Sequence, residues 1–542
     1  MSDYNVQKES QRILLEHIIN DERLGWSPEV KKACQAVKFV GDSKPFIPTP
    51  LKITESVSAL SALVGGAAAA VAEERYGIKQ DVTVNTDKAT LFLVGILLPT
   101  VDGKSIVQSK SFLAAASESD KFKMAKPIHM QASNIYQCKD GKWYHTHQSF
   151  NAGPTMKMLG VQESDVTTEE AQKIYIEKVK QWDSATLDTT ANDQYMQAGC
   201  ICNTVEEFFA HPHTKIIEKE PVASITALKA PKKSWPKVTS TDYRPLAGIR
   251  VVDLTRAVAG PTVTKLLAVL GADVIKIGST TIPDVYMCLP DINTGKRDVD
   301  INLKTPEGKA AFMKIVKDAD VLVDGYRPHA LAKLGFDSVS LREINPSLIF
   351  SRENCYGHIG PLAYRSGWQQ IADCFAGLSW MQGEFLGLNE PVIPLLPNAD
   401  YQTGVLGAAF IIQALQKRAN ADVTFDVDIS LLQYNIWYQR LGTYDPEQSK
   451  SLLSRNPSFK ARHYDEMGSM FRKMVDAIKE SRPGLLENPE FYSKMSGKEW
   501  NIDGDLSILA PPFDFTRSEI SYLCPSGRRG WSNNNPEWIP VN

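Results

Sequence analysis

Ile249-Arg-Val-Val-Asp-Leu254, a turn at Gly260-Pro261, a helical pattern through Leu266, Leu267 and Leu270, and then Ala272-Asp-Val-Ile-Lys-Ile277 decide the fold. Two short β-branched runs flank a helix, which is a βαβ unit. The alternation continues downstream. Thr305-Pro306-Glu307 opens a helix to about Lys317, with proline in the first turn where its missing N–H costs nothing. Asp320-Val-Leu-Val-Asp324 reads as a strand, Pro328 to Leu334 as a short helix closed by Gly335, and Ser347-Leu-Ile-Phe-Ser351 as a further strand. Strands alternating with helices imply an α/β domain with a mostly parallel sheet. Such a domain binds ligands outside the carboxyl ends of its strands.

Upstream, the stretch from Leu228 to Pro245 is rich in proline and polar residues and reads as a linker, centred on 231–245. It separates a first part, 1–230, from the α/β domain at 246–440; residues 441–542 form a C-terminal segment expected to wrap back. A length of 542 residues allows about three to five domains. Hydrophobic residues make up 43% and charged residues 23%, a globular balance that excludes a disordered or collagen-like chain. Sixty Lys and Arg against 63 Asp and Glu leave a net charge of −3, so no basic surplus offers itself to nucleic acid. Eight irregularly spaced Cys favour reduced thiols and a cytoplasmic home. The polar N-terminus does not read as a signal peptide, and Ile539-Pro-Val-Asn542 is no peroxisomal address. The apolar runs Val57–Ala72 and Ala89–Val101 fall short of the roughly 18–20 residues a membrane span needs, and read as buried elements.

The loops decide the chemistry. No G-x-G-x-x-G follows any strand, and there is no P-loop and no G-x-S-x-G elbow. His145 and His147, His211 and His213, and Cys200 and Cys202 are each spaced i, i+2, unlike zinc ligand pairs, so no metal is expected. Asp400, in Pro394-Leu-Leu-Pro-Asn-Ala-Asp400, precedes a small-residue helix from Thr403. Two readings stay open for it. As an N-cap it satisfies orphan N–H groups. As a nucleophile it is an ionised carboxylate, kept low in pKa by the helix terminus, that attacks an acyl thioester. Val405-Leu-Gly-Ala-Ala through Asp428 also lies without gaps over Val64-Gly-Gly-Ala-Ala through Asp87, with eight of 24 positions identical. This is either chance similarity of Ala-rich helices or a duplication whose first copy is cut short.

From Leu246 to about Trp437 the chain resembles the class III CoA-transferases, the CaiB/BaiF family. The resemblance rests on signatures in the family's order: Leu246-Ala-Gly-Ile-Arg-Val-Val-Asp-Leu-Thr-Arg-Ala-Val-Ala-Gly-Pro261, Leu270-Gly-Ala-Asp-Val-Ile-Lys-Ile277, Asn293-Thr-Gly-Lys-Arg297, Leu303-Lys-Thr-Pro-Glu-Gly308, Ala319-Asp-Val-Leu-Val-Asp-Gly-Tyr-Arg-Pro328, Lys333-Leu-Gly-Phe336, Gly357-His-Ile-Gly-Pro361, Gly377-Leu378 and Asn398-Ala-Asp-Tyr-Gln-Thr-Gly404. Tyr136–Tyr144 and Ala198–Pro212 are similar to the family's smaller domain, so the chain resembles a truncated, degenerate first copy fused to a second copy.

The resemblance implies an α/β fold with a Rossmann-like large domain and a smaller α+β domain at about 100–225, and one catalytic residue, Asp400, whose counterpart in the ungapped repeat is Ala59. It implies CoA-binding positions Ala257 and Val258 in the first loop, Lys296, Tyr326 and Lys333. It also implies an acyl-CoA donor and a carboxylic acid acceptor as substrates, an aspartyl anhydride and an aspartyl-CoA thioester as intermediates, no tightly bound cofactor, and a homodimer. Gly278-Ser279 replaces a charged pair, and Val258 replaces the glutamine of formyl-CoA transferase-like members. Trp368 stands where the α-methylacyl-CoA racemases of the same superfamily place a histidine, and tryptophan is no general base. The rival readings are such a racemase or another isomerase or lyase, a catalytically dead CoA-binding scaffold, and an unrelated nucleotide-binding α/β protein.

Overall fold

The computed structural model describes residues 4–527 and 536–540; the extreme chain ends and part of the 441–542 segment lie outside the described residues. A seven-stranded sheet organises the α/β part. Its strands run in the order Lys296–Asp300, Asp273–Gly278, Arg250–Leu254, Val321–Asp324, Ile349–Asn354, Val423–Ser430 and Ala223–Lys229. The first six are parallel and the last is antiparallel to its neighbour. The register sets Val251 beside Val274 and Val321, and Val252 beside Ile275 and Leu322. Successive residues face opposite sides of a strand. The first set therefore enters the central core with Leu267 and Phe410, and the second packs with Phe312, Ile315 and Leu341 under the outer helices. Burial on both faces is why these strands read as continuous apolar runs.

The edge strand Ala223–Lys229 is a correction to the sequence reading, which ended the first part at 230 and left this stretch outside the sheet. It alternates polar and apolar residues, as a half-covered antiparallel edge does. The helix begun at Thr305-Pro306 runs Pro306–Lys317, with the Thr305 hydroxyl capping the Gly308 N–H at 3.1 Å.

Strand order reverses between Arg250–Leu254 and Val321–Asp324. A crevice opens there because the following connections leave toward opposite sides. Around it lie three further parts. Strands Ile135–Gln137, Trp143–Thr146 and Gly199–Ile201 form a small antiparallel sheet with its own core of Tyr136, Tyr144 and Tyr175. The helices Val6–Leu14, Pro28–Gln35 and Ile53–Tyr76 pack together ahead of it. The C-terminal segment returns to them: Phe513–Phe515 pairs with Val82–Asn85, and Asp505–Leu509 with Thr100–Val101.

Both helices of the proposed repeat are followed by strands: Ile53–Tyr76 by Val82–Asn85, and Asn398–Asn420 by Val423–Ser430. The two helices also pack on each other. Ile53–Tyr76 is longer than its apolar run suggested. It is the one helix among the described residues long and apolar enough to cross a membrane, and its whole apolar window is enclosed by the protein.

Candidate active site

A cavity of about 360 Å³ occupies the crevice. Arg256, Ala257 and Val258 line it from the loop after Arg250–Leu254, and Gly325 and Tyr326 from the loop after Val321–Asp324. Glu353, Trp368 and Asp400 complete the large-domain wall. Phe122, Ser149, Phe150 and Gln197 reach it from the small domain. The first part of the chain thus supplies a wall of the site.

Asp400 is the third residue of the helix Asn398–Asn420, not the residue before a helix. This corrects the cap reading: the helix has no side-chain cap, and Asp400 lies inside the first turn. Its flanking residues hold that turn. Asn398 Nδ2 donates to the Tyr434 hydroxyl at 2.9 Å, and Gln402 Nε2 donates to Ser56 Oγ at 2.9 Å. The Tyr401 hydroxyl donates to Asp291 at 3.0 Å and accepts from the Ile96 N–H at 3.0 Å. Ser56 and Ile96 belong to the first part, so that part anchors the Asp400 turn as well as walling the cavity.

Gly404 explains how the turn reaches the Ala257–Val258 loop. A Cβ there would stand 2.6 Å from the Ala259 carbonyl oxygen and 2.5 Å from Thr262 Cβ, so only glycine lets the helices Asn398–Asn420 and Ala259–Val269 meet this closely.

The electrostatics of Asp400 also differ from the expectation. Burial, followed by the charges of Glu353 and Asp373, pushes its carboxyl well above the ordinary range. Desolvation outweighs the helix terminus. Asp373 is itself raised to about 7 by burial, although it accepts a hydrogen bond from Asn435 Nδ2 at 2.8 Å. The arginines of the cavity wall are occupied elsewhere. The Arg256 guanidinium lies over the rings of Phe150 and Tyr326, at 4.2 and 5.0 Å from their centroids, and donates to the Pro283 carbonyl at 2.7 Å. Arg365 pairs with Asp188 at 2.8 Å.

Of the positions read from sequence, the structure gathers Asp400, Ala257, Val258 and Tyr326 around one cavity. Lys333 lies exposed on the short helix Ala332–Leu334 and does not line it. Lys296 is a correction. Its side chain is wholly buried; Nζ donates to Asp253 at 2.8 Å and to the Pro261 carbonyl at 2.8 Å. Burial lowers the Lys296 ammonium to about 7, while Lys276 and Lys296 overcome burial at Asp253 and hold that carboxyl at about 2. Lys296 therefore fastens the strand end to the start of the next helix and has no face turned to a ligand.

Trp368 stacks on His147, with centroids 5.1 Å apart and planes 11° apart, and its Nε1 donates to Ser149 Oγ at 3.3 Å. His145 and His147 are buried with both rings lowered in basicity by desolvation. Among the described residues, no three His, Cys, Asp or Glu side chains are grouped to hold a metal ion. Glu353 was missed from the sequence. The available signal was a glutamate at the carboxyl end of a strand of the parallel sheet, where α/β folds place ligands.

The family profile of CoA-transferase family III matches residues 246–463. The acetyl-coenzyme A transferase nodX of Hypoxylon pulicicidum is 34% identical, over 99% of this chain and 94% of its own. An acyl-CoA transferase of Gibberella moniliformis is 30% identical, over 90% of this chain and 88% of its own. A solved CaiB/BaiF family protein from Brucella suis is 28% identical over 40% of this chain and 56% of its own, with a TM-score of 0.31. With near-complete coverage by a relative above 30% identity and the family profile spanning the cavity loops and Asp400, the chain belongs to CoA-transferase family III.

Proposed function

We propose that the chain moves CoA from an acyl-CoA to a carboxylic acid, with Asp400 as the covalent carrier. The observation that carries this reading is the position of Asp400: a carboxyl in the first turn of a helix, open to a cavity at the sheet's switch point, with no cation among the described residues paired to it. A carboxylate oxygen of Asp400 attacks the thioester carbonyl carbon, the carbonyl electron pair moves to oxygen, and collapse breaks the C–S bond to release CoA thiolate. The thiolate attacks the aspartyl carbonyl of the resulting anhydride, freeing the donor acid and leaving aspartyl-CoA. The acceptor carboxylate repeats both steps in reverse order. Thioester energy is kept throughout, so neither ATP nor a metal enters the scheme. First-turn N–H groups lack intrahelical partners and face developing negative charge.

The name of the Hypoxylon relative makes acetyl-CoA the first donor to try. Ala257, Val258 and Tyr326 are placed to hold the CoA arm. A neighbouring cavity of about 590 Å³ shares Phe122 and Asn151 with the first and carries Lys121, Lys123 and Lys157. These cations suit CoA phosphates better than buried Lys296. The eight free thiols, seven of them buried, support a reducing, cytoplasmic setting, which fractionation tests.

The carrier is tested by incubating the protein with acyl-CoA and hydroxylamine. A hydroxamate is expected on the peptide holding Asp400 and is absent in Asp400→Asn. An adduct on another residue, or full activity in Asp400→Asn, removes Asp400 from the role. Self-association belongs to the same reading through the resemblance to dimeric family members. Sedimentation at micromolar concentration checks it, and a 60.1 kDa monomer throughout removes it.

A further inference from the structure

Glu353 lines the same cavity wall as Asp400 and takes no part in the scheme above. It stands at the carboxyl end of Ile349–Asn354. Its neighbour Arg352 is on the opposite face of the strand, where it pairs with Asp428 at 2.6 Å. The loop after Val321–Asp324 makes room for it: a Cβ on Gly325 would lie 3.5 Å from Glu353 Oε2. The charged groups around Glu353 are Asp324 on the neighbouring strand, Asp400 on its helix, Cys355 two residues on, and Arg256 and Arg327 on the two cavity loops. Neither arginine is spent on Glu353. Arg256 donates to Pro283 and lies over two rings, and Arg327 donates to the Met196 carbonyl at 3.2 Å. The Glu353 carboxyl thus lines the cavity with Asp400, with no cation among the described residues paired to it, while Asp324, in register with Arg352, adds its charge from the neighbouring strand. Acids sharing a desolvated site do not all ionise, so a proton is retained among them. Burial and then Asp324 hold Glu353 up at about 8, and burial holds Asp324 at about 7.

We propose that Glu353 is the neutral acid of this site, its O–H donating a hydrogen bond to the oxyanion formed when Asp400 attacks the acyl-CoA thioester. The inference rests on Asp400 being the carrier. In the step, the Asp400 oxygen forms a bond to the carbonyl carbon, the π pair goes to the carbonyl oxygen, and Glu353 hydrogen-bonds that oxygen while keeping its proton. The C–S bond then breaks and the thiolate leaves with its electron pair. By staying neutral, Glu353 also withholds one of the charges that, after burial, raise the Asp400 carboxyl, and so eases its ionisation.

The test is exchange of labelled acid into its own CoA ester by the full chain, which needs only the first half-reaction. Acetate with acetyl-CoA and succinate with succinyl-CoA are the probes, from pH 6 to 10, with melting curves for every variant. Glu353→Gln keeps an N–H donor and is expected to stay within about tenfold of the parent, whereas Glu353→Leu falls roughly 10²–10³-fold, the loss typical of one oxyanion donor. The parent's rate falls as pH rises through about 8, where Glu353 loses its proton, and Glu353→Gln lacks that fall. Exchange by Glu353→Leu at the parent's rate, or an unchanged alkaline fall in Glu353→Gln, overturns the inference while Asp400 hydroxamate formation in the parent still upholds the carrier. No hydroxamate on Asp400 in the parent with either donor overturns both.

Discussion

Two carboxyls sit at the same place in two long helices that pack on one another. Glu55 is the third residue of Ile53–Tyr76, and Asp400 is the third residue of Asn398–Asn420. Counted from the helix starts, Glu55 rather than Ala59 occupies the place of Asp400; Ala59 lies one turn further in, fully buried. Their surroundings differ. Glu55 accepts hydrogen bonds from the Tyr4 hydroxyl at 2.7 Å and the Tyr444 hydroxyl at 2.8 Å and has no exposed surface. Asp400 opens onto a cavity and faces Glu353. A helix start supplies an acid in either case. A cavity leaves one of them accessible to a ligand, and two tyrosines close the other.

The largest effect that would break this contrast is on turnover. Asp400→Asn should lower transfer by roughly 10³-fold or more, the scale on which removing a nucleophile acts. Glu55→Gln should leave turnover within about twofold. Equal loss in two folded variants, measured by initial rates beside melting curves, would make both carboxyls structural.

Stability sharpens the contrast. Lys296→Ala removes the nearer of the two lysines that hold Asp253, leaving it Lys276 at 4.0 Å and the Thr255 and Thr264 hydroxyls, and should cost about 1.5–3 kcal/mol in chemical denaturation. Glu55→Ala removes the carboxylate that accepts from the Tyr4 and Tyr444 hydroxyls and should cost about 1–3 kcal/mol. A Lys296→Ala protein as stable as the parent but unable to bind CoA would return Lys296 to the ligand.

The smallest effect is in pH. Burial raises Glu55 to about 7 against an ordinary 4.5. Between those values the folded state holds a proton that the unfolded state has released. Stability therefore rises as pH falls from above 7 toward about 5, by at most about 1.4 kcal/mol per unit from this group. Glu55→Gln should flatten that slope in melting curves, while Glu353, raised to about 8, extends it to higher pH. A parent whose stability increases from pH 6 to pH 9 would contradict the sign.

The parallel sheet was legible because its strands are buried on both faces and write themselves as apolar runs. The Asn398–Gly404 signature was legible because its residues have separate duties: Asn398, Tyr401 and Gln402 anchor the turn, and Gly404 admits the neighbouring backbone. Lys296 was not legible. A lysine on a strand end reads alike whether it meets solvent or a buried aspartate 43 residues earlier. Nor were the small-domain walls, Ser149 and Phe150, since the meeting of Trp368 with residues 219 positions away is settled by tertiary packing alone. The edge strand Ala223–Lys229 was hidden by its polar half.

The helix Ile53–Tyr76 has a consequence for synthesis. Its partner helix begins 345 residues later, at Asn398 against Ile53, so at roughly 5–20 residues per second the ribosome delivers that partner about 20–70 s afterwards. For that interval a nascent segment long and apolar enough to cross a membrane lacks the partner helix that covers it in the finished fold. Val6–Leu14 and Pro28–Gln35, which pack on it in the finished protein, leave the exit tunnel first. Deleting the amino-terminal helices should therefore uncover Ile53–Tyr76 in the growing chain and divert the product to insoluble material.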